Sequence, residues 1–450
     1  MRINLGTPMT LWHIARVVGG RINSPRNAVI KSIVTDSREL EPGDLFIALK
    51  GANFDGEDFT NQVEKLGGFS LCKTNNSIGI IHENPLVALL ALAEYYIQTL
   101  PIILYNIGIT GSVGKSTTKE FLKILLSGRY KVHSSEGNHN NEIGMPLSIL
   151  SAPRNSQILL MEMGMNHTGE IARLSSCLHP DIALITNIGT AHIGNLGSRE
   201  AIAKAKLEIA AGMNKGTLFV PHDEPLLDVK SKVTFSTENL KADYYLYATN
   251  EKSIQIFKDG KLYCQAEFYP AGEHNKKCLI SAAAIAIKLG ISSDELAYRI
   301  STISDINTRQ SAIFLKNRYF YTDYYNASRE SVFALIKWAN EIAPGNKKSL
   351  VLGDILELGG ISEKIHFEIG SAISSDDFNN LFLFGEMSKT IATAAIYYGF
   401  PKEHIFINTD LSNPTITANQ ILKHSHINNP IFMKASRGVR LERVLNSLKE

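Results

Sequence analysis

Cysteine is scarce in this chain. Four occur in 450 residues (Cys72, Cys177, Cys264 and Cys278), with none of the short spacings that build a metal cage. A secreted disulfide scaffold would carry more, so a reducing compartment is expected. Excess charge of either sign is missing too. Lys and Arg number 46 and Asp and Glu 44, a formal net charge of +2, which gives no electrostatic reason to expect nucleic acid or a membrane surface as partner. Nor is there a long uninterrupted apolar run. The most apolar stretch, residues 85–109, is broken by Glu94, Gln98 and Pro101 and reads as a buried helix followed by a strand, not a membrane span. Residues 1–8 lack the apolar core of a secretion signal, so the expected location is the cytoplasm.

What remains is the composition of an ordinary globular protein, with 44% hydrophobic and 20% charged residues. At 450 residues, roughly two to four domains are expected. Residues 1–83 read as a small α/β unit, with a helix over 9–18, short strands over 29–34 and 45–48, and a turn at Pro42-Gly43-Asp44. Asn84 then caps a helix begun by Pro85. Over 84–305 strands (158–161, 182–185, 218–221) alternate with helices, the pattern of a largely parallel sheet covered on both faces. Residues 234–270 depart from it and predict an antiparallel insert turning at Lys258-Asp259-Gly260-Lys261. From 306 to 450 the alternation restarts, with strands at 349–352, 381–384, 405–408 and 431–433, as a second, smaller α/β domain.

The most informative segment runs from Asn106 to Glu120. An apolar strand, 102–109, ends in a turn bearing Gly108, Gly111, Ser112 and Gly114. Lys115, Ser116 and Thr117 follow, then a helical pattern over 117–127. The strict phosphate-loop spacing wants glycine where Ile109 stands, so this is a variant loop. Backbone N–H groups at the helix start, the Lys115 charge and the Ser116 hydroxyl together predict a nucleoside triphosphate and Mg²⁺. Other candidates leave predicted strand ends, where ligands of such folds sit. Glu162 suits a metal ligand or a solvated, helix-capping acid. His192 suits a second metal ligand or a plain loop histidine. Lys204 and Lys206 read first as a solvated helix face. The polar run Gly137 to Pro146 either binds a polar ligand or turns the chain. Arg309, ahead of Asp323, Tyr325 and Asn326, either clamps a γ-phosphate or bridges two domains.

Taken together these segments resemble the Mur ligases, cytoplasmic ATP-dependent enzymes that build the peptide stem of the bacterial cell-wall precursor. The resemblance covers nearly the whole chain. It is carried by Thr35-Asp-Ser-Arg38 and Pro42 to Ala48, the phosphate loop, Asn138 to Pro146, Glu162 to Glu170, Asn187 to His192, Lys206 to Ile209, Gly272 to Asn275, Asp323 to Ala327, Val351 to Gly359 with His366, and Lys434 to Arg437. It implies three α/β domains: a small UDP-substrate domain (1–83), a central ATP-binding domain with a mostly parallel P-loop ATPase-type sheet (84–305) and a C-terminal Rossmann-like domain for the acceptor (306–450). It also implies roles. Gly111, Ser112, Gly114, Lys115, Ser116, Thr117, Asn275 and Arg309 would bind ATP. Ser116, Glu162, His192 and a carbamylated Lys206 would hold Mg²⁺, and Asp323 would complete the catalytic set. Asp36, Ser37, Asn140 and Asn141 would face a UDP-N-acetylmuramoyl-tripeptide, and Tyr325 and Asn326 a D-alanyl-D-alanine acceptor. No nucleic acid or membrane enters the reaction, and a monomer is expected. Rivals are a relative with another amino-acid or depsipeptide acceptor, a folate-type polyglutamate ligase, and a non-catalytic nucleotide-binding paralogue. One departure bears on the acceptor: Ser328-Arg329 follow Ala327 where family members usually carry Asn-Pro.

Overall fold

A computed structural model of the chain describes residues 1–24, 27–51, 53–74, 78–230, 232–250, 252–304, 311–324, 326–345 and 348–449. The architecture is α/β, with three mostly parallel sheets. By compactness the chain divides into two units, one of residues 1–110, 126–184 and 205–219, the other of 111–125, 185–204 and 220–450. The cuts fall inside the central segment rather than at the limits read from the sequence.

In the first unit, a six-stranded sheet takes the order Arg2–Thr10, Val29–Val34, Leu45–Ile47, Phe69–Cys72, Gly79–Ile81, Arg21–Asn23. Its inner strands are parallel and its two edge strands antiparallel. The edge strand Arg2–Thr10 overrides the helix expected from residue 9. The helix starts at Leu11, with the Thr10 hydroxyl accepting from the His13 N–H as its N-cap. Five further strands lie in the order Val132–Ser134, Ile158–Glu162, Tyr105–Thr110, Ile182–Ile185, Thr217–Pro221. Ile158–Glu162 and Ile182–Ile185 are buried along their whole length, as strands covered on both faces must be. Helix Pro85–Thr99, capped by Asn84, packs against helices Leu11–Val18, Gly144–Leu150 and Glu170–Leu178, and its Tyr96 hydroxyl donates to the Ala152 carbonyl at 2.7 Å.

In the second unit, the strands Tyr244–Ala248, Ser253–Lys258 and Lys261–Glu267 are antiparallel neighbours. The tight turn at Asp259-Gly260 has positive φ at both residues, 50° and 74°, as a two-residue hairpin of this hand requires. The last sheet runs Ser311–Leu315, Arg318–Thr322, Pro430–Lys434, Ser349–Gly353, Asn380–Phe384, Ile405–Asn408 and is parallel except at Ser311–Leu315. Its core is aliphatic and aromatic, with Leu350, Leu381, Phe382 and Phe432 fully buried.

Candidate active site

Strand Tyr105–Thr110 delivers the chain into the glycine turn, and helix Lys115–Leu126 leaves it. The strand begins three residues later than its apolar composition suggests, because Pro101 and Ile102 form a turn; the helix begins two residues earlier, at Lys115. Gly111 has φ of 150°, and a Cβ there would lie 1.8 Å from the Thr186 hydroxyl, so only glycine fits. Gly114 has φ of 81°, and a Cβ on it would meet the Cys278 sulfur at 3.0 Å. Cys278, on helix Glu273–Lys288, is buried, and burial pushes its thiol up to about 11, so it packs as an inert small hydrophobe. Lys115 Nζ donates to the Gly111 carbonyl at 2.8 Å, folding the charge over the loop.

A second loop, 186–192, holds the phosphate loop in shape. The Asn187 amide accepts from the Val113 N–H at 3.0 Å and donates to the Val113 carbonyl at 3.0 Å. The Thr186 hydroxyl donates to the same carbonyl at 2.6 Å, and the Gly189 N–H donates to Ser112 Oγ at 2.8 Å. Asn187 and Thr186 thus bond to backbone rather than to a ligand. Their sequence signal was limited to membership of a conspicuous loop.

Glu162 ends its strand in register with Ile109. It is 2% exposed, and Asn140 Nδ2 donates to its Oε1 at 2.8 Å. The Asn140 carbonyl accepts from the Gly164 N–H at 2.7 Å, and Asn141 Oδ1 caps helix Gly144–Leu150 by accepting from the Ile143 and Gly144 N–H groups. These placements give both asparagines local work. Lys206 is also 2% exposed, on helix Arg199–Leu207, which removes the solvated-face reading for it, whereas Lys204 on the same helix is exposed as that reading expects. Glu208, next in that motif, accepts from the Gly169 and Ala172 N–H groups and so caps helix Glu170–Leu178.

His192 has φ of 64°, and its Nδ1 lies 2.6 Å from Glu357 Oε2. That bond holds the Glu357 carboxyl below the usual carboxylate range. Asp323 is gripped by the 2%-exposed Lys434, whose Nζ lies 2.6 Å from Asp323 Oδ2 and also donates to the Asn326 carbonyl at 3.1 Å. Asn326 Oδ1 accepts from the Ala327 N–H. Asn275 is buried and donates to the Ala271 carbonyl at 2.6 Å. Asp36 caps a short turn, bonding Arg38 through backbone and side chain, which holds its carboxyl well below the usual range; Ser37 beside it is buried. Ser116 and Thr117 lie in the first turn of helix Lys115–Leu126. Arg309 and Tyr325 lie outside the described residues.

The departure at Ser328-Arg329 has a plain physical reading. Ser328 is the N-cap of helix Arg329–Ile342, in a capping box with Ser331, and Arg329 is the first helical residue. Asn and Ser are interchangeable as N-caps, and proline is favoured at the next position. The two dipeptides therefore do the same job. The Arg329 charge is also absorbed: its Nε meets Glu368 Oε2 at 2.6 Å and its guanidinium lies 4.7 Å from the Phe333 ring centroid. His366 is buried, with Nε2 accepting from the Ile355 N–H and Nδ1 donating to the Ser362 carbonyl, so both ring nitrogens are committed to the fold.

Comparison with known proteins agrees with this geometry. The family models "Mur ligase middle domain" and "Mur ligase family, catalytic domain" match residues 109–286 and 29–71. The UDP-N-acetylmuramoyl-tripeptide–D-alanyl-D-alanine ligase of Bacillus subtilis (strain 168) is 35% identical, with 98% of each chain covered. Among solved structures, MurF from Acinetobacter baumannii superposes with a TM-score of 0.87 at 27% identity, over 99% of both chains. MurF ligase from Thermotoga maritima in complex with ADP gives 0.79 at 27% identity, over 93% of this chain and 96% of that one. With similarity of this extent along both sequence and fold, the chain belongs to the Mur ligase family.

Proposed function

We propose that this chain is the ADP-forming ligase that joins D-alanyl-D-alanine to UDP-N-acetylmuramoyl-tripeptide during cytoplasmic synthesis of the peptidoglycan precursor, acting as a monomer. The observation that carries the reading is the phosphate loop, with Lys115 folded over it, in a chain that matches dipeptide-adding relatives along 98% of its length. Among the described residues no helix is long and apolar enough to cross a membrane.

Amide formation from a carboxylate needs an activated acid. An oxygen of the tripeptide's terminal carboxylate attacks the γ-phosphorus of ATP, the bond to the β-phosphate oxygen breaks, and ADP leaves. Lys115 and the N–H groups of the loop neutralise the growing charge. The neutral amine of the dipeptide then attacks the acyl carbon, and inorganic phosphate departs from the tetrahedral intermediate as the amine sheds a proton. The three-domain division at 1–83, 84–305 and 306–450 belongs to this reading, as do Arg309 at the phosphates, Asp323 and Asn275 at the nucleotide, Asp36 and Ser37 toward the uridine substrate, and Tyr325 and Asn326 toward the acceptor.

Mg²⁺ belongs to the same reading, with donors of suitable chemistry taken one by one. Glu162 offers a buried carboxylate oriented by Asn140, Ser116 a hydroxyl, and His192 an imidazole whose tautomer Glu357 sets. Among the described residues no three of His, Cys, Asp and Glu gather into a metal cage. Bound there, Mg²⁺ would neutralise phosphate charge during transfer. A carbamylated Lys206 would supply a second buried acid.

The test is direct. The protein is incubated with ATP, Mg²⁺ and UDP-N-acetylmuramoyl-tripeptide, then offered D-Ala-D-Ala, D-Ala-D-Lac or single amino acids. ADP release with the mass of the dipeptide adduct is expected. Release driven better by another acceptor would reassign the specificity, and no release with any acceptor would leave a nucleotide-binding paralogue. Arg329, the departure that bears on the acceptor, meets Glu368 and Phe333, which supports the dipeptide reading.

A further inference from the structure

The loop 186–192 that shapes the phosphate loop is itself held by two carboxylates from beyond residue 310. At one end, Glu330, in the first turn of helix Arg329–Ile342, accepts from Thr190 twice. The backbone N–H reaches Oε1 at 3.1 Å and the hydroxyl reaches Oε2 at 3.2 Å. The approach needs Gly189, since a Cβ there would lie 2.8 Å from Glu330 Oε2. At the other end, Glu357 takes His192 Nδ1 at 2.6 Å through its side chain and the Gly194 N–H at 2.9 Å through its carbonyl. The backbones meet closely here as well: a Cβ on Gly359 would stand 2.9 Å from Gly194 Cα. Glu330 also lies only four residues past Asn326, at the end of the segment proposed to meet the acceptor.

We propose that Glu330 and Glu357 are positioning residues, which fix the 186–192 loop, and through Ser112 and Val113 the phosphate loop, so that nucleotide seating depends on the acceptor-side helix being in place. Glu330 acts by capping Thr190, one residue from the Gly189 N–H that holds Ser112. Glu357 acts by fixing the His192 tautomer with its hydrogen on Nδ1, which leaves the Nε2 lone pair for a metal, the arrangement in which an outer carboxylate orients a ligating histidine. This rests on the ligase reading above.

The test is a double-mutant cycle with Thr190 on the full chain. Glu330→Ala should raise KM for ATP about tenfold while leaving KM for the dipeptide nearly unchanged. Thr190→Val, which removes the hydroxyl bond, should have a smaller effect, and the double variant should be no worse than Glu330→Ala. Glu330→Gln keeps an oxygen for the Thr190 N–H and should recover to within about threefold of the parent. For Glu357→Ala, Mn²⁺ binding in the presence of a non-hydrolysable ATP analogue, followed by electron paramagnetic resonance, should weaken about tenfold. An unchanged KM for ATP in Glu330→Ala, or fold-effects of Glu330→Ala and Thr190→Val that simply multiply, would overturn the Glu330 role. Unaltered Mn²⁺ binding would overturn that of Glu357. If Glu330→Ala does not fold, the cycle of Glu330→Gln with Thr190→Val decides on the same criterion. An inactive parent protein would instead sink the ligase reading, so the two failures are distinguishable.

Discussion

The turn after Thr110 and the turn after Phe384 are built alike. Each follows the last residue of a parallel strand, each begins with a glycine at extreme positive φ (150° at Gly111, 137° at Gly385), and each opens into a helix. Both glycines are required by a neighbour: a Cβ would meet Thr186 Oγ1 at 1.8 Å in the first and Asp354 Oδ1 at 2.3 Å in the second. The difference lies in the charge that stands beside each turn. At the second turn the protein supplies its own anion. Asp354 accepts from the Glu386 N–H at 2.9 Å and the Met387 N–H at 3.1 Å. At the first turn the neighbour is a neutral hydroxyl, and the nearby charge is a cation, Lys115. A helix N-terminus attracts negative charge in either case. One turn in this chain meets that demand internally and is structural; under the function proposed above, the other serves a ligand's phosphate.

The largest expected effect separates the two turns by activity. Lys115→Ala should cut ADP release about 10³-fold, since it removes a charge aimed at the transferring phosphoryl group, and should shift stability by less than about 1 kcal/mol. Asp354→Ala should do the reverse. It strips an internal cap from two partly buried N–H groups and should cost about 1–2 kcal/mol of stability, read as a lower denaturant midpoint, with KM for ATP near that of the parent. A stable Asp354→Ala with impaired ATP use would mean that the second turn also serves the ligand.

The same contrast explains what could be read from the amino-acid order. The phosphate loop was legible because its chemistry is local: strand, glycine turn, lysine and helix are contiguous. The parallel strands were legible from apolar runs, and the Asp259-Gly260 hairpin from its turn dipeptide. Edge strand Arg2–Thr10 was not, because its alternation is weak and most of its residues are only partly buried. Asp354, Glu330 and Glu357 act across long separations, so even where the Val351 to Gly359 stretch stands out, nothing in it announces their partners. An acid in a first helical turn, as Glu330 is, also reads as ordinary dipole compensation. Asn140 and Asn141 have local partners that their order in the chain does not announce: one orients Glu162 and the other accepts from the first N–H groups of a helix. Polar residues in a loop give no hint of which neighbour they will satisfy.

A smaller effect concerns the surroundings of the second turn. Burial holds the His366 imidazole below its ordinary value and pushes the Asp354 carboxyl above its own. The unfolded chain protonates His366 near about pH 6.5, before the folded chain does, so stability is lost as pH falls from there toward the depressed folded value. Asp354 runs the other way, its contribution being lost as pH rises through its elevated folded value. His366→Gln retains an acceptor for the Ile355 N–H but removes the imidazole titration. Its melting temperature should stay flat or rise on acidification below about pH 6.5, where the parent declines. Equal slopes in the two proteins would place the acid sensitivity elsewhere.

The smallest effect comes from the acceptor-side helix. Arg329→Pro restores the dipeptide pattern usual in the family at the first helical position. The backbone already accepts it: Ser328 sits at φ −138° and ψ 166°, the extended region that a following proline demands. A proline there gives up an N–H that has no partner within the helix. The pair with Glu368 is partly exposed, at 39% and 31% for the two side chains, so its loss should cost no more than about 1 kcal/mol. Proline offsets part of that by restricting the unfolded chain. Net stability should therefore change by less than about 1 kcal/mol, with the preference for D-Ala-D-Ala over D-Ala-D-Lac unaltered. A changed acceptor preference would mean that Arg329 reaches the acceptor after all, and the equivalence of the two N-terminal dipeptides would fail.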